Sequence, residues 1–357
     1  MDFVVNRQDL RQCRFVPADG SSALAPGQAR IRIERFGLTA NNVTYGAVGD
    51  LMGYWKFFPA DDGWGRIPVW GVGVVEAAGA TELREGERIY GYFPISTHLV
   101  VEPTRVGRHG FVDGTAHRRE LPPVYNQYVR LEGDAGYSTR DDDRLMLLRP
   151  LFATAFLLDD MIAENDFYGA SAVLLASASS KTAFSLAHLL SARKRPGLEV
   201  VGLTSPRNLD FVRGLPCYGR AVAYDAVKGL PASWRVVLVD MAGDQRVTRD
   251  VHQHFGDGVA YSCQVGLTHW EEGGSVDGLP GAKPEFFFAP SRMEQRTKDW
   301  GADGLQSRLA SAWRAFLDGT EGWLRVERQQ GTEAVERAYL DTLEGRVRPD
   351  RGLVLSL

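Results

Sequence analysis

The stretch AVLLASASSKTAFSLAHLL, residues 172–190, decides how the second half of this chain is read. It opens on the unbroken apolar run Ala172-Val173-Leu174-Leu175, the pattern of a strand covered on both faces. From about Thr182 the apolar residues take helical spacing. Between the two lies Ser177-Ala178-Ser179-Ser180-Lys181-Thr182-Ala183. Folds that bind nucleotides place glycines in such a strand-to-helix turn, because a phosphate there approaches the backbone and rests on the N–H groups of a helix N-terminus. This turn has no glycine. It admits three readings: a dinucleotide turn built from other small residues, a degraded P-loop, or a plain connection. Serine and alanine can serve a dinucleotide provided the turn avoids positive φ, and Lys181 adds a cation. Lys181-Thr182 ends the stretch as a P-loop does. Both of that motif's glycines are missing, however, at Ala176 and Ser180, and the one later acid of note is Asp240 after RVVLV.

The downstream residues favour the first reading. LEVVGLTS, a helix in PRNLDFVRGL, RAVAYDA, WRVVLVDMAG, a helix in QRVTRDVHQHF and GVAYSCQVG alternate strand and helix, the rhythm of parallel βαβ units. The second strand ends at Thr204-Ser205-Pro206-Arg207-Asn208, roughly 20 residues past the turn, where a site for NAD carries Asp or Glu on the ribose. No acid follows here until Asp210. A carboxylate would repel a 2′-phosphate, whereas serine and arginine receive one. If a dinucleotide binds, NADP(H) is therefore the favoured cofactor. Ser179, Ser180, Lys181 and Thr182 are then placed around the phosphates, and Thr204, Ser205 and Arg207 at the ribose end.

Upstream, ARIRIERFGLT alternates apolar and polar residues, WGVGVVEAAGA is a glycine-marked strand, and EGERIYGYFPISTHLVVEP reads as two strands joined at Phe93-Pro94. Such spacing predicts a barrel or sandwich. Residues 104–145 show little periodicity and read as a long functional or mobile segment; within them Asp141 to Asp143 read as a loop charge cluster. After Arg149-Pro150 the helical run LFATAFLLDDMIAEN begins. LQSRLASAWRAFLDGTEGWL and GTEAVERAYLDTLEG are helical, and RGLVLSL is a closing strand that can rejoin either part. The 357 residues exceed the roughly 250–300 at which a single core stops growing, so two domains are expected.

Composition excludes several classes of function. An apolar content of 44%, a charged content of 24% and a net charge of −4, with no long block of one sign, argue against nucleic acid or an anionic membrane as partner. No apolar run approaches the ~20 residues that span a bilayer. The N-terminal MDFVVNRQDLRQCRF lacks the apolar core of a secretory signal. Cys13, Cys217 and Cys263 are isolated, so neither a disulfide framework nor a Cys-rich zinc site is expected, and a reducing cytoplasm is the simplest compartment.

On these residues the chain resembles the medium-chain dehydrogenase/reductase superfamily, on its zinc-free quinone oxidoreductase side. PVWGVGVVEAAGA followed by LREGERIYGY resembles the family's glycine-marked strand and its Gly-Asp-Arg-Val element, here Gly86-Glu87-Arg88-Ile89. FATAFLLDDMIAENDFYGASAVLLASASSKTAFSLAHLL resembles its helix, first Rossmann strand and cofactor turn, with Ser177, Ser180 and Ala183 at the three small or glycine positions. VVGLTSPRNLDFVRGLPCYGRAVAYD resembles its second βα unit, with Tyr224 closing the third strand as a further cofactor contact. AVERAYLDTLEGRVRPDRGLVLSL resembles its C-terminal return, and YGAVGDLMGYWKFFPADDGWGRIPVWG resembles an uncharacterised branch. The resemblance implies an α/β chain: a β-rich, GroES-like catalytic domain over 1–150 with a return over about 320–357, and a Rossmann domain with a doubly wound parallel sheet over 151–319. It places the active site between them and allows a homodimer through GVAYSCQVG as edge strand. The family's zinc positions fall at Thr39 and Val69-Trp70, which are not ligands, so no metal is expected.

Without zinc, reduction needs a placed hydride donor, a polarised carbonyl and a proton source. The family's cleft-facing segment corresponds to GLTANNVTYGAVGDLMGYWKFF, whose Asn41, Asn42, Tyr45 and Tyr54 can donate hydrogen bonds; Trp55 and Phe58 read as core. LPPVYNQYVRL adds Tyr125, Asn126 and Tyr128. Asn41, Tyr45, Tyr54 and Tyr125 are the candidate catalytic residues. His98 and His117 read as structural or as proton donors, and Arg292, Arg296 and Lys298 as a basic helix start or a cofactor contact. The expected function is NADPH-dependent reduction of a small molecule, a quinone, enone or related activated carbonyl. The alternative is a protein that binds NADP(H), or another partner, without turnover.

Overall fold

A computed structural model describes residues 1–18, 23–133, 137–266, 278–319 and 322–357. The chain divides into two units, Met1–Leu147 with Arg325–Leu357, and Leu148–Leu324. In the first unit, β1 (Asp2–Asn6) pairs with β2 (Cys13–Val16), and the alternating ARIRIERFGL becomes β3 (Ala29–Leu38). Helix α1 (Ala40–Ala47) follows, then β4 (Trp64–Gly65), β5 (Pro68–Ala78), β6 (Arg88–Pro94), β7 (His98–Val101), β8 (Pro103–Thr104), β9 (Gly110–Asp113) and β10 (Gln127–Arg130). β4 joins β1, while β3-β5-β6-β10-β9-β8 form one antiparallel run and β7 also pairs with β3. The inward residues Phe3, Ile31, Phe36, Val69, Ile89, Phe93 and Tyr128 make its core. Gly91 is needed in mid-strand because a Cβ there would lie 2.3 Å from the Tyr128 ring.

Residues 104–145 are less irregular than their composition suggests. β9 and β10 extend the large sheet, and single helical turns occupy Ala116–Arg118 and Pro123–Asn126. Their strands are short and their polar residues are drawn into a buried network, which hides the periodicity. The Asp141–Asp143 cluster is not a solvated loop. Asp142 and Asp143 open helix α2 (Asp142–Glu164), where acids favour the helix dipole. Arg35 donates to both, Arg88 and Tyr137 to Asp142, and Arg328 to Asp143. The helix therefore starts before Pro150 and passes through it.

The second unit is a doubly wound sheet. Its strands are β11 (Ala172–Ala176), β12 (Glu199–Thr204), β13 (Arg220–Ala223), β14 (Val236–Asp240), β15 (Val259–Gln264) and β16 (Glu285–Phe286). Helices α3 (Lys181–Ala192), α4 (Leu209–Arg213), α5 (Gln245–Phe255) and α6 (Ala289–Gly319) accompany them. The order β13-β12-β11-β14-β15-β16 is parallel throughout. It reverses direction between β11 and β14, and the carboxyl ends there open the crevice where such sheets take ligands. β15 is not the edge strand that the family resemblance implied, because Glu285–Phe286 pairs with Cys263 and Gln264.

The chain then returns to the first unit. β17 (Arg325–Gln330), helix α7 (Thr332–Leu343) and β18 (Arg351–Ser356) follow, with β18 parallel to β17 and antiparallel to β3. No helix among the described residues is long and apolar enough to cross a membrane.

Candidate functional site

The turn after β11 takes a conformation its residues do not advertise. Ser177 has φ +56, so the turn does not avoid positive φ. A left-handed serine costs about 1–2 kcal/mol where a glycine would cost little. Neighbouring groups hold it there. Ser177 donates its backbone N–H to the Tyr224 hydroxyl at 3.1 Å, and the two hydroxyls lie 3.3 Å apart. Ala178 is fully buried; its N–H donates to Leu203 O, and Tyr218 donates its hydroxyl to Ala178 O. Gly202 makes room for this turn, since a Cβ there would lie 2.9 Å from that of Ala178. Ser179 Oγ accepts from Asn208 Nδ2 at 3.1 Å, tying the β11–α3 turn to the loop after β12. Ser180 is the N-cap of α3, its hydroxyl accepting from Ala183 N–H at 3.2 Å. Lys181 and Thr182 form the first turn of α3 and are half-buried.

Thr204 ends β12 with a buried hydroxyl that has no hydrogen-bond partner. Ser205, half-buried, caps the single turn Pro206–Asn208, in which Arg207 is exposed. Tyr224 lies just past β13 and begins the next helical turn. Burial raises its phenol pKa, against the hydrogen bonds to Ser177 that lower it. Across the switch point Asp240, buried at the end of β14, accepts the N–H groups of Ala242 and Gly243 and the Thr248 hydroxyl. Burial pushes its carboxyl up to about 6 against these bonds. Tyr218, Asn208 and Asp240 complete the turn's surroundings. Asn208 and Asp240 stood out in the sequence, at the end of the second strand and after RVVLV, whereas Tyr218 carries no local signal.

In the first unit, Asn41, Tyr45, Tyr54 and Tyr125 converge. Tyr54 and Tyr125 bring their hydroxyls to 3.1 Å, and Trp70 Nε1 donates to the Tyr45 hydroxyl at 3.4 Å. Asn41 and Tyr125 stand near the Tyr45 hydroxyl and lower its pKa against the larger effect of burial. Their rings pack at 4.6 Å (Tyr45–Tyr54), 5.7 Å (Tyr54–Tyr125) and 6.3 Å (Tyr45–Tyr125), with Tyr92 4.7 Å from Tyr125. Tyr45, Tyr54 and Tyr125 are 5–8% exposed, and Asn41 more so. Burial, first of all causes, raises all four phenols, Tyr92 included, so each stays protonated at neutral pH. The Tyr92 hydroxyl is buried without a partner. Beneath them runs a charged network around Arg118, which pairs with Asp113 at 2.7 Å. Trp55, Phe57 and Phe58 are core, and Asn42 is structural, accepting from Thr39 N–H and donating to Pro68 O.

Other residues singled out in the sequence have structural partners. Arg292 and Arg296 both pair with Asp160 and Glu164 of α2, Arg296 also with Asp299, and Lys298 with Glu294. The two arginines fasten α6 to α2, while the Lys298–Glu294 pair lies within α6. His98 meets Glu76, and His117 Nε2 meets Phe57 O. Asn126 is buried and accepts from Arg118. Among the described residues no group of three or more His, Cys, Asp or Glu is placed to hold a metal ion.

Comparison with solved structures identifies the fold. The chain is similar to CurA of Vibrio vulnificus in complex with NADPH, at 13% identity and a TM-score of 0.62, covering 99% of this chain and 98% of that one. It is similar to a quinone oxidoreductase of Pseudomonas syringae, at 16% identity and a TM-score of 0.60 over 99% of both chains. The yhdH oxidoreductase of Salmonella enterica in complex with NADP follows at 13% identity and a TM-score of 0.53, over 97% and 95%. No curated protein matches the chain. The fold is the one these solved structures share, a β-rich unit and a parallel α/β unit. A family model matches residues 36–348, and the chain belongs to that family, described as Protein of unknown function (DUF2855).

Proposed function

We propose that this protein is an NADPH-dependent oxidoreductase that reduces an activated carbonyl, a quinone or enone, without a metal. The observation that carries the reading is the small-residue turn at the switch point of a 3-2-1-4-5-6 sheet, beside a second strand ending in hydroxyls and arginine instead of an acid. The site's chemistry suits the cofactor: the buried, unpartnered Thr204 hydroxyl ends that strand, and α3 presents its N-terminus at the turn. Ser179, Ser180, Lys181 and Thr182 would hold the phosphates. Thr204, Ser205 and Arg207 would hold the 2′-phosphorylated ribose, with Tyr224 supporting the turn. The nicotinamide supplies a hydride when bound. Among this chain's residues, Tyr54 and Tyr125 donate hydrogen bonds to the carbonyl oxygen of a small-molecule substrate, which takes its proton from water. Tyr45 and Asn41 orient them. Their high phenol pKa values suit donors and not bases. Thr39 and Val69-Trp70, where the family's zinc enzymes carry ligands, offer no thiolate, imidazole or carboxylate. The unpaired thiols of Cys13, Cys217 and Cys263 suit a reducing cytoplasm.

The test is to titrate NADPH and NADP⁺ by fluorescence and thermal shift, then to assay NADPH oxidation with a panel of quinones and enones. The reading expects NADPH binding, weakened at least tenfold by Arg207→Ala with NADH little affected, and turnover on at least one acceptor. Absence of binding by either nucleotide ends it. Tight binding without turnover on any acceptor makes the protein a nucleotide-binding relative of these reductases.

A further inference from the structure

Arg118 is almost wholly buried, 1% exposed, in the single turn Ala116–Arg118. Its guanidinium is gripped on several sides. Nε donates to Asn126 Oδ1 at 3.0 Å, Nη1 to Asp113 Oδ2 at 2.7 Å and to the Tyr128 hydroxyl at 3.0 Å, and Nη2 to the main-chain carbonyl of Tyr125 at 2.9 Å. Asn126 Nδ2 returns a bond to Arg118 O at 2.8 Å. The Tyr128 hydroxyl in turn donates to the Tyr92 carbonyl at 2.6 Å. One side chain thus holds the backbone of Tyr125 directly and that of Tyr92 through Tyr128. Those two rings lie 4.7 Å apart, and the first carries the hydroxyl that meets Tyr54.

The cation also stands against the aromatic cluster. It lies 5.0 Å from the Phe58 ring centre and 5.7 Å from those of Phe57 and Tyr128, and its charge lowers the phenol pKa values of Tyr92 and Tyr128 against the larger effect of burial. A buried ion pair is a poor device for stability alone, since apolar residues of similar volume usually serve as well. What it supplies is geometry, because a planar fork fixes several partners at once.

We propose that Arg118 is a positioning residue for the Tyr54–Tyr125 hydroxyl pair, acting through the Tyr125 and Tyr92 main chains. The proposal rests on the reading that these hydroxyls face the substrate carbonyl. It assigns Arg118 no contact with substrate or cofactor.

The experiment compares the unaltered protein with Arg118→Met combined with Asp113→Asn, which removes both buried charges together, and with Arg118→Lys, which keeps the charge without the fork. Tyrosine labelled with ¹³C at Cζ is read by NMR, with Tyr54 and Tyr125 assigned from their phenylalanine variants. Both proteins should shift the Tyr125 and Tyr54 resonances and retain wild-type NADPH affinity. With a reducible acceptor, kcat should fall at least tenfold while the KM for NADPH stays unchanged. Adding Tyr125→Phe to Arg118→Met/Asp113→Asn should cost little more, because the two changes remove one arrangement. Wild-type resonances in a folded variant overturn the proposal, and if the charge-neutral pair does not fold, unchanged resonances in Arg118→Lys do so. If the wild type reduces no acceptor, the reductase reading fails and the resonances still decide whether Arg118 sets the hydroxyl pair.

Discussion

The turn at residues 177–182 and the cluster around Tyr125 are both rich in hydroxyls, yet they are built in opposite ways. In the turn, Ser180 caps its own helix and Ser177 takes a single partner, Tyr224, from a later βα unit, and the hydroxyls replace what glycine backbone does elsewhere. In the cluster the hydroxyls meet one another across long separations, Tyr54 and Tyr125 above all, and a buried ion pair sets the frame. The first arrangement is expected to tolerate the loss of one member, and the second to fail as a unit.

The largest effect is expected from breaking that frame. Asp113 accepts from Glu102 N–H, Thr115 N–H and the Thr115 hydroxyl as well as from Arg118. Asp113→Ala strands a buried guanidinium, so urea denaturation should show a loss of about 3–5 kcal/mol. A loss below about 1 kcal/mol would mean that the cluster is as forgiving as the turn.

A smaller effect of opposite sign is expected at Asp240. Burial pushes its folded pKa up to about 6, above the ordinary value of 3.8, so the folded state binds the proton more tightly than the unfolded state does. The buried charge therefore costs stability in full above about pH 6, and the cost fades as pH falls towards 4. Asp240→Asn keeps an oxygen for the Ala242 and Gly243 N–H groups and removes the charge. It should stabilise the protein by about 1–3 kcal/mol at pH 8, with little gain left at pH 4. A gain of equal size at both pH values would show that ionisation is not its source.

The smallest effect belongs to the turn. Ser177→Gly relieves a left-handed serine but loosens the unfolded chain and loses the hydroxyl facing Tyr224, so thermal unfolding should report a net gain of up to about 1 kcal/mol. A clear drop in Tm would show that the Ser177–Tyr224 pair outweighs the strain.

Much of the fold was open to reading because its signals are local. β3 alternates, β11 and β14 are continuous apolar runs, and the βα rhythm of the second unit follows from spacing alone. What escaped reading was set by partners far along the chain. β9 and β10 carry too many polar residues to announce themselves, since Asp113 and Tyr128 serve a buried network. The start of α2 depends on Arg35, Arg88 and Arg328. At the candidate site, Asn41 and Tyr45 lie one helical turn apart and read as neighbours. Their meeting with Tyr54 and Tyr125 depends on tertiary packing that no short window contains. The positive φ of Ser177 was equally hidden, because the Tyr224 hydroxyl that supports it lies in another βα unit.

The return of β17 and β18 to the first unit has a consequence for how the chain is made. The second unit is one uninterrupted segment, Leu148–Leu324, whereas the first needs Arg325–Leu357 to finish its sheet. During synthesis from the N-terminus the inserted unit is the first to have all its strands, while β3 waits with an open edge for β18. Translation order and structural completeness thus run opposite to one another here, and a nascent chain halted before residue 351 exposes that edge to any strand able to pair with it.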